Sequence, residues 1–280
     1  MAIQICSAIT VSRQLAIIGL AAFSAAGTGS ALATVPTASG TAFDLNVQVS
    51  IVGASILNIT PVDQVQFTNL ATAYVDEKTT PSFDSGAGLL ARLQTGVLDT
   101  QTQWIPGANF LADGAQATVN NLDLDAVNAL SGGSSLLSLQ AGVIQATAIV
   151  TGTCPAAPVP AAVNAVHLVD DYIFRDGFEP GNLQATGTAT LQGSGGGIVL
   201  SILGNSILGI PVNPAPNTSI DLSGLLGSGN TLVLNEQTIT GDGTTGLGVA
   251  TNALHLTLNV VGLITASVII SHADASIACN

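Results

Sequence analysis

The sequence predicts an all-β protein: a β-sandwich-like stack of antiparallel strands with Gly and Pro turns and at most short helices. Three observations carry this. Apolar and polar residues alternate with a period of two in run after run, the spacing at which one strand face is buried. Turn residues separate the runs, at Gly132-Gly133, Gly195-Gly196-Gly197, Pro211 to Pro216 and Gly241-Asp242-Gly243. Charged residues make up only 8% of the chain and the mean hydropathy is +0.56, which suits a packed core and not disorder.

In chain order, Phe43 to Ile51 is the cleanest strand. It places Phe43, Leu45, Val47, Val49 and Ile51 on one face and Asp44, Asn46, Gln48 and Ser50 on the other. Leu89, Leu90, Leu93 and Val97 recur at helical spacing and predict a helix within 85–98, interrupted by Gly96. Ala117 to Ala126 alternates more weakly, and Gln140 to Thr151 is β-branched and mostly apolar. Leu232 to Thr240, Leu254 to Val260 and Val268 to Cys279 supply three further strands. Residues 155–182 differ: a Pro/Ala stretch leads to a segment dense in acidic and aromatic residues. The β domain is thus expected in two parts, 34–154 and 183–280, with 155–182 as an insertion.

The N-terminus reads as a signal peptide, residues 1–33. Arg13 precedes the apolar run Leu15 to Ala26, which is too short to span a bilayer. Small residues then lead to Ala31-Leu32-Ala33, which predicts cleavage between Ala33 and Thr34. Cys6 would leave with the peptide, so Cys154 and Cys279 remain as one disulfide candidate for an oxidising compartment. The mature chain would keep three basic residues, Lys78, Arg92 and Arg175, against 17 acidic ones, a net charge of −14. That balance speaks against nucleic acid and against anionic lipid heads. No segment of the mature chain has the 18 consecutive apolar residues of a transmembrane helix.

The strings Pro216 to Leu222, Leu232 to Gln237 (LVLNEQ), Thr251 to Leu256 (TNALHL) and Val268 to Ala273 (VIISHA) occur in an order that resembles the bacterial exported family called choice-of-anchor P. Asn235, Glu236 and Gln237, with Asn252 and His255 about 15 residues on, carry most of the likeness. The resemblance implies an exported domain found with various surface anchors, and it implies no activity. This chain closes on Cys279-Asn280 without an apolar helix, basic tail or sortase motif, so secretion is the expectation in place of anchoring.

Few residues suit catalysis. Glu236 would need a second carboxylate about 5–10 Å away to act as a glycosidase acid. His255 alternates with Leu254 and Leu256 and pairs with Glu236 if their strands are neighbours. Ser271, His272 and Asp274 do not form a triad, because adjacent strand residues face opposite ways. Gly195-Gly196-Gly197 has no Lys or Ser/Thr after it and is no phosphate loop. Calcium is the one cofactor weighed, on Asp123 and Asp125 or on Asp170, Asp171, Asp176 and Glu179, although no EF-hand loop accompanies them. The sequence therefore points to a secreted, extracytoplasmic protein with a structural or adhesive role, no catalysis, and a protein or glycan surface as partner. The alternative is a secreted carbohydrate-binding module or carbohydrate-active enzyme, whose sugar platform would draw on few aromatics.

Overall fold

A strand that buries one face needs a second sheet to bury it against. In a computed structural model of the chain, two antiparallel sheets meet in this way. The structure describes residues 35–85, 91–107, 110–127, 135–154, 182–193, 198–207 and 210–279, all within the unit Ala33–Asn280. The predicted signal segment and residues 155–181 lie outside the described residues.

The chain builds half of the first sheet, all of the second, and then returns. β1 (Thr37–Ile51), β2 (Ala54–Val62) and β3 (Val65–Leu70) start the first sheet. The second holds β4 (Tyr74–Thr80), β5 (Phe83–Asp84), β6 (Ala91–Thr95), β7 (Leu98–Pro106), β8 (Leu111–Val127), β9 (Ser135–Gly152), β10 (Leu183–Gln192), β11 (Val199–Ile202) and β12 (Asn205–Ile207). β13 (Thr218–Asp221), a single-turn helix α1 (Ser223–Leu226), β14 (Thr231–Gly241), β15 (Gly246–Val260) and β16 (Ile264–Ala278) complete the first sheet. Its order is β13-β14-β15-β16-β1, with β3 and β2 side by side along the other edge of β1. In the second sheet β8 and β9 are central; β10 and β11 share the far edge of β9, and β7 and β6 share that of β8.

Two expectations change here. Residues 91–95 form a strand, not part of a helix, because Ala91, Leu93 and Thr95 alternate into the core and Gly96 turns the chain toward β7. The central strands are also long, 15 to 18 residues, and each changes its buried face once. In β1, Ala38, Ala42 and Asp44 are buried, then Leu45, Val47, Val49 and Ile51. β16 buries Ile264, Ala266, Val268 and Ile270, then Ser271, Ala273, Ala275 and Ile277. β15 inverts between Ala253 and Leu254, and β14 between Leu234 and Asn235. Asp44, Ser271, Ala253 and Asn235 thus occupy one row across the sheet, and its neighbours on either side are in register. The backbone is left-handed at Asn235 (φ 49°) and Ser271 (φ 60°). Such a break re-aims the side chains of a twisted sheet and keeps both halves on the core. β8 and β9 invert likewise, around Asn121 (φ 49°) and Gly142. The face assignment read from Phe43 to Ile51 is therefore wrong at its start: Asp44 points in and Phe43 points out.

The row's polar residues reach into the second sheet. The Ser271 hydroxyl donates to the Ala117 carbonyl (2.6 Å) and accepts from the Ala146 N–H (2.8 Å), and those two residues are register partners in β8 and β9. Further down, the Ser276 N–H donates to Asp113 of β8 at 2.7 Å. Gly187 of β10 approaches so closely that a Cβ would stand 2.3 Å from the Thr251 hydroxyl of β15. Cys154, just after β9, and Cys279, just after β16, are joined with Cα atoms 5.5 Å apart, as the cysteine pattern led us to expect.

Ser271→Ala removes the hydroxyl that bonds both the Ala117 carbonyl and the Ala146 N–H. Chemical denaturation should show a loss of about 1–3 kcal/mol; an unchanged midpoint would contradict the inter-sheet role. Opening the bridge with Cys279→Ser should cost about 4–5 kcal/mol on the chain-entropy account of a 125-residue loop, read by the same titration.

Candidate functional site

The densest polar cluster lies on the outer face of the first sheet, opposite the row of inverted residues. Phe43, His272, Asn252 and Glu236 are neighbours across β1, β16, β15 and β14. His255 joins them from one row beyond. In an unbroken strand Asn252 and His255, three residues apart, would face opposite ways. Here Ala253 and Leu254 both turn inward, so Asn252 and His255 both face out and converge on Glu236.

One carboxylate oxygen, Glu236 Oε2, accepts from Asn252 Nδ2 at 2.7 Å and lies 2.8 Å from His255 Nδ1. Since the Asn252 amide NH2 is committed to Glu236, its Oδ1 faces His272 Nδ1 at 2.6 Å. That contact requires the proton on Nδ1 of His272. His272 also stacks on Phe43, with ring centroids 4.5 Å apart. Burial pushes its pKa down to about 4, with Glu236 pulling the other way, so the ring is neutral at pH 7. The expected Glu236–His255 pair is thus present, as part of a chain of side chains that ties four strands together.

The other family-like residues play a different part. Asn235 and Gln237 flank Glu236 within β14. Asn235 is buried and donates to the Pro214 carbonyl at 2.8 Å. Gln237 donates to the Gly187 carbonyl of the second sheet at 2.6 Å and to Asn235 Oδ1. Their amides satisfy backbone and loop groups and leave Glu236 alone facing outward.

The remaining candidates are dispersed. Ser271 is spent between the sheets, while His272 and Asp274 face out, so no triad forms. Asp123 accepts from Gln140 at 3.3 Å, and Asp125 accepts from Ser135. Asp170, Asp171, Asp176 and Glu179 lie outside the described residues. Among the described residues no three His, Cys, Asp or Glu side chains gather in a metal-holding group. A shallow depression of about 230 Å³ opens on the same outer face nearer the disulfide end, lined by Thr37, Ser39, Asn69, Thr240, Gly248 and Ser276 among others. Leu247, Ile277 and Ala278 line it beside these hydroxyl, amide and glycine residues, and no acid or base is among the lining residues.

Sequence reading missed the buried carboxylates. Asp44 is fully enclosed, and neither of its oxygens finds a partner within hydrogen-bond geometry. Desolvation, and then the charges of Asp63 and Asp99, raise its pKa to about 8 against the smaller opposing pull of the nearby Thr118 and Asp99 backbone amides. Burial likewise holds Asp113 well above the carboxylate range against the Ser276 N–H. Asp63, with left-handed backbone, accepts from Thr80 at 2.6 Å, pairs with Lys78 at 3.4 Å, and offers its carbonyl to Thr100 at 2.5 Å. It thereby pins the β2–β3 turn onto the second sheet. No signal in the alternation marks Asp44, because its polarity fits the solvent face that an unbroken strand would give it.

Comparison of the chain with protein-family models, with curated proteins and with solved structures finds no match.

Asp44 sets a pH dependence of known sign. Its folded pKa stands above its ordinary value of 3.8, so between pH 4 and 8 the folded chain holds a proton that the unfolded chain releases, and stability falls as pH rises. His272 works the other way, its contribution being lost as pH falls from 6.5 toward 4. Asp44→Asn, an isostere of the neutral acid, should cost little at pH 4 and gain thermal midpoint over the wild type steadily up to pH 8. A constant offset across that range would contradict a buried neutral Asp44.

Proposed function

We propose that the chain is an exported bacterial protein with a structural or adhesive role, of the choice-of-anchor P kind, and not an enzyme. The observation that carries this is how Glu236 is used. Its hydrogen-bonding oxygen is shared by Asn252 and His255 on an open sheet face, and the same row continues through His272 to Phe43. A carboxylate–imidazole pair engaged in this way knits strands together. A general base would need a nucleophile or substrate atom within reach of its free nitrogen.

Export is supported by the ordered charge, apolar run and small-residue site before Thr34, with β1 beginning three residues later at Thr37. A disulfide bridging the ends of two sheets suits an oxidising compartment. The residues behind the family likeness also cluster on adjacent strands β14 and β15, as parts of one structural unit would.

A second reading, a carbohydrate-binding module, draws on the depression beside Ser39 and Ser276, where hydroxyls and the Asn69 amide stand next to apolar and glycine residues. Mass spectrometry of the chain recovered from outside the cytoplasm should find Thr34 at the N-terminus and no free thiols. An uncleaved chain with alkylatable Cys154 and Cys279 would refute export. Calorimetric titration with bacterial polysaccharides separates the two readings: saturable binding abolished by Ser276→Tyr, which fills the depression, would favour the carbohydrate module.

A further inference from the structure

Lys78 is the only lysine in the sequence, and its Nζ stands 3.4 Å from Oδ1 of Asp63. The two belong to different sheets. Lys78 is on β4, which pairs with β7, and Asp63 is in the turn between β2 and β3. The carboxyl is the fixed partner: the Asp63 side chain is 2% exposed, that of Lys78 54%. Thr80 donates to Oδ1 at 2.6 Å, and the Thr100 hydroxyl donates to the Asp63 carbonyl at 2.5 Å. Asp63 Oδ2 is buried without a hydrogen-bond partner.

A second carboxyl lies beside this pair. Leu45 is paired with Val62 and Ala42 with Val65, so Asp44 of β1 runs alongside Asp63. Asp44 is fully enclosed, and neither of its oxygens has a hydrogen-bond partner. Among the charges that act on it, that of Asp63 acts most strongly. With its pKa raised by burial to about 8, Asp44 carries a proton at pH 7. An ion pair with one exposed partner stabilises little by itself, and it gives no account of why the enclosed neighbour is an acid. An amine, an acyl carbon and a carrier of protons in one place are the parts that amide formation needs.

We propose that Lys78 and Asp63 condense into an intramolecular amide, Nζ to Cγ, with Asp44 moving the proton. The step balances within the chain. Asp44 passes its proton to the Asp63 carboxylate and takes one back from the Lys78 ammonium. The freed lone pair on Nζ then forms the N–C bond, the C–O bond breaks, and the oxygen leaves as water with a further proton from the nitrogen. The Thr80 hydroxyl, already on Oδ1, steadies the charge that gathers there as the carbon becomes tetrahedral. Amide formation in water is opposed by hydrolysis, but groups held in contact by a fold react with effective molarities of about 10⁵ M or more. The product is a second covalent tie between the sheets beside the disulfide, from β4 to the β2–β3 turn. It goes beyond the structural role proposed above and needs neither export nor the disulfide, so its failure leaves that role standing.

Because Lys78 is the only lysine, a lysine-specific endopeptidase tests the bond directly. The reduced, denatured wild type should weigh one water less than its sequence requires and should resist that protease. Without the bond the same chain is cut once, into two pieces. Asp44→Asn keeps the shape and removes the proton. Sampled during cell-free synthesis, it should form the bond about a hundredfold more slowly than the wild type, while the near-ultraviolet dichroism of the buried Trp104 shows the same fold. Lys78→Arg should keep its full mass, and the pH comparison of Asp44 with Asn is made in that background, where neither chain carries the bond. A wild type of full mass that the protease cuts would overturn the proposal. So would a chain lighter by one water that is still cut, which holds a succinimide elsewhere, or an Asp44→Asn chain that forms the bond at the wild-type rate.

Discussion

The Ser271 hydroxyl is the contact on which the two sheets depend. It lies between a donor and an acceptor of the opposite sheet, so it fixes where β16 crosses β8 and β9 to within a hydrogen bond's tolerance. An apolar residue at this place would fill space without setting position, since hydrophobic burial is non-directional. The hydroxyl reaches because the backbone at Ser271 is left-handed, and that same turn inverts the buried face of the strand. Inter-sheet register and the change of face are one structural event.

The rest of the row follows from it. With the inversion repeated in β1, β15 and β14, Asp44 is driven into the core, Asn235 into a buried bond with Pro214, and Phe43 out onto His272. Two inward residues in succession on β15 leave Asn252 and His255 on one outer face, where Glu236 binds both. The polar chain outside and the neutral carboxylic acid inside are thus opposite faces of the same row. A histidine held neutral and an acid held protonated are both consequences of burial. Neither needs a catalytic explanation.

Much of this was legible in the sequence and some was not. The all-β class, the strands at 43–51, 232–240, 254–260 and 268–279, the Cys154–Cys279 pairing and the Glu236–His255 contact were all readable, because each rests on local alternation or on a short roll of candidates. The inversions were not. A period-two reading extrapolates one face along a strand, so Phe43 was placed inside and Asp44 outside. The helical spacing of Leu89, Leu90, Leu93 and Val97 misled for a related reason: within residues 91–95, strand alternation of Ala91, Leu93 and Thr95 fits the core as well, and the neighbouring β8 decides between them. Asn121, Asn235 and Ser271, residue types that tolerate left-handed backbone, were the available marks of the breaks.

The features above are the ones the proposed structural role draws on. The polar side chains of the outer row join strands, and the cysteines join the two sheets. All of it presupposes the inverted row, and thiol labelling of the folded chain tests that row most directly. With the native disulfide intact, a cysteine in place of Phe43 should react with a soluble maleimide while one in place of Asp44 should stay protected until denaturation. The reverse pattern, Asp44→Cys labelled and Phe43→Cys protected, would mean that the alternation runs unbroken and that the sheets do not meet as described.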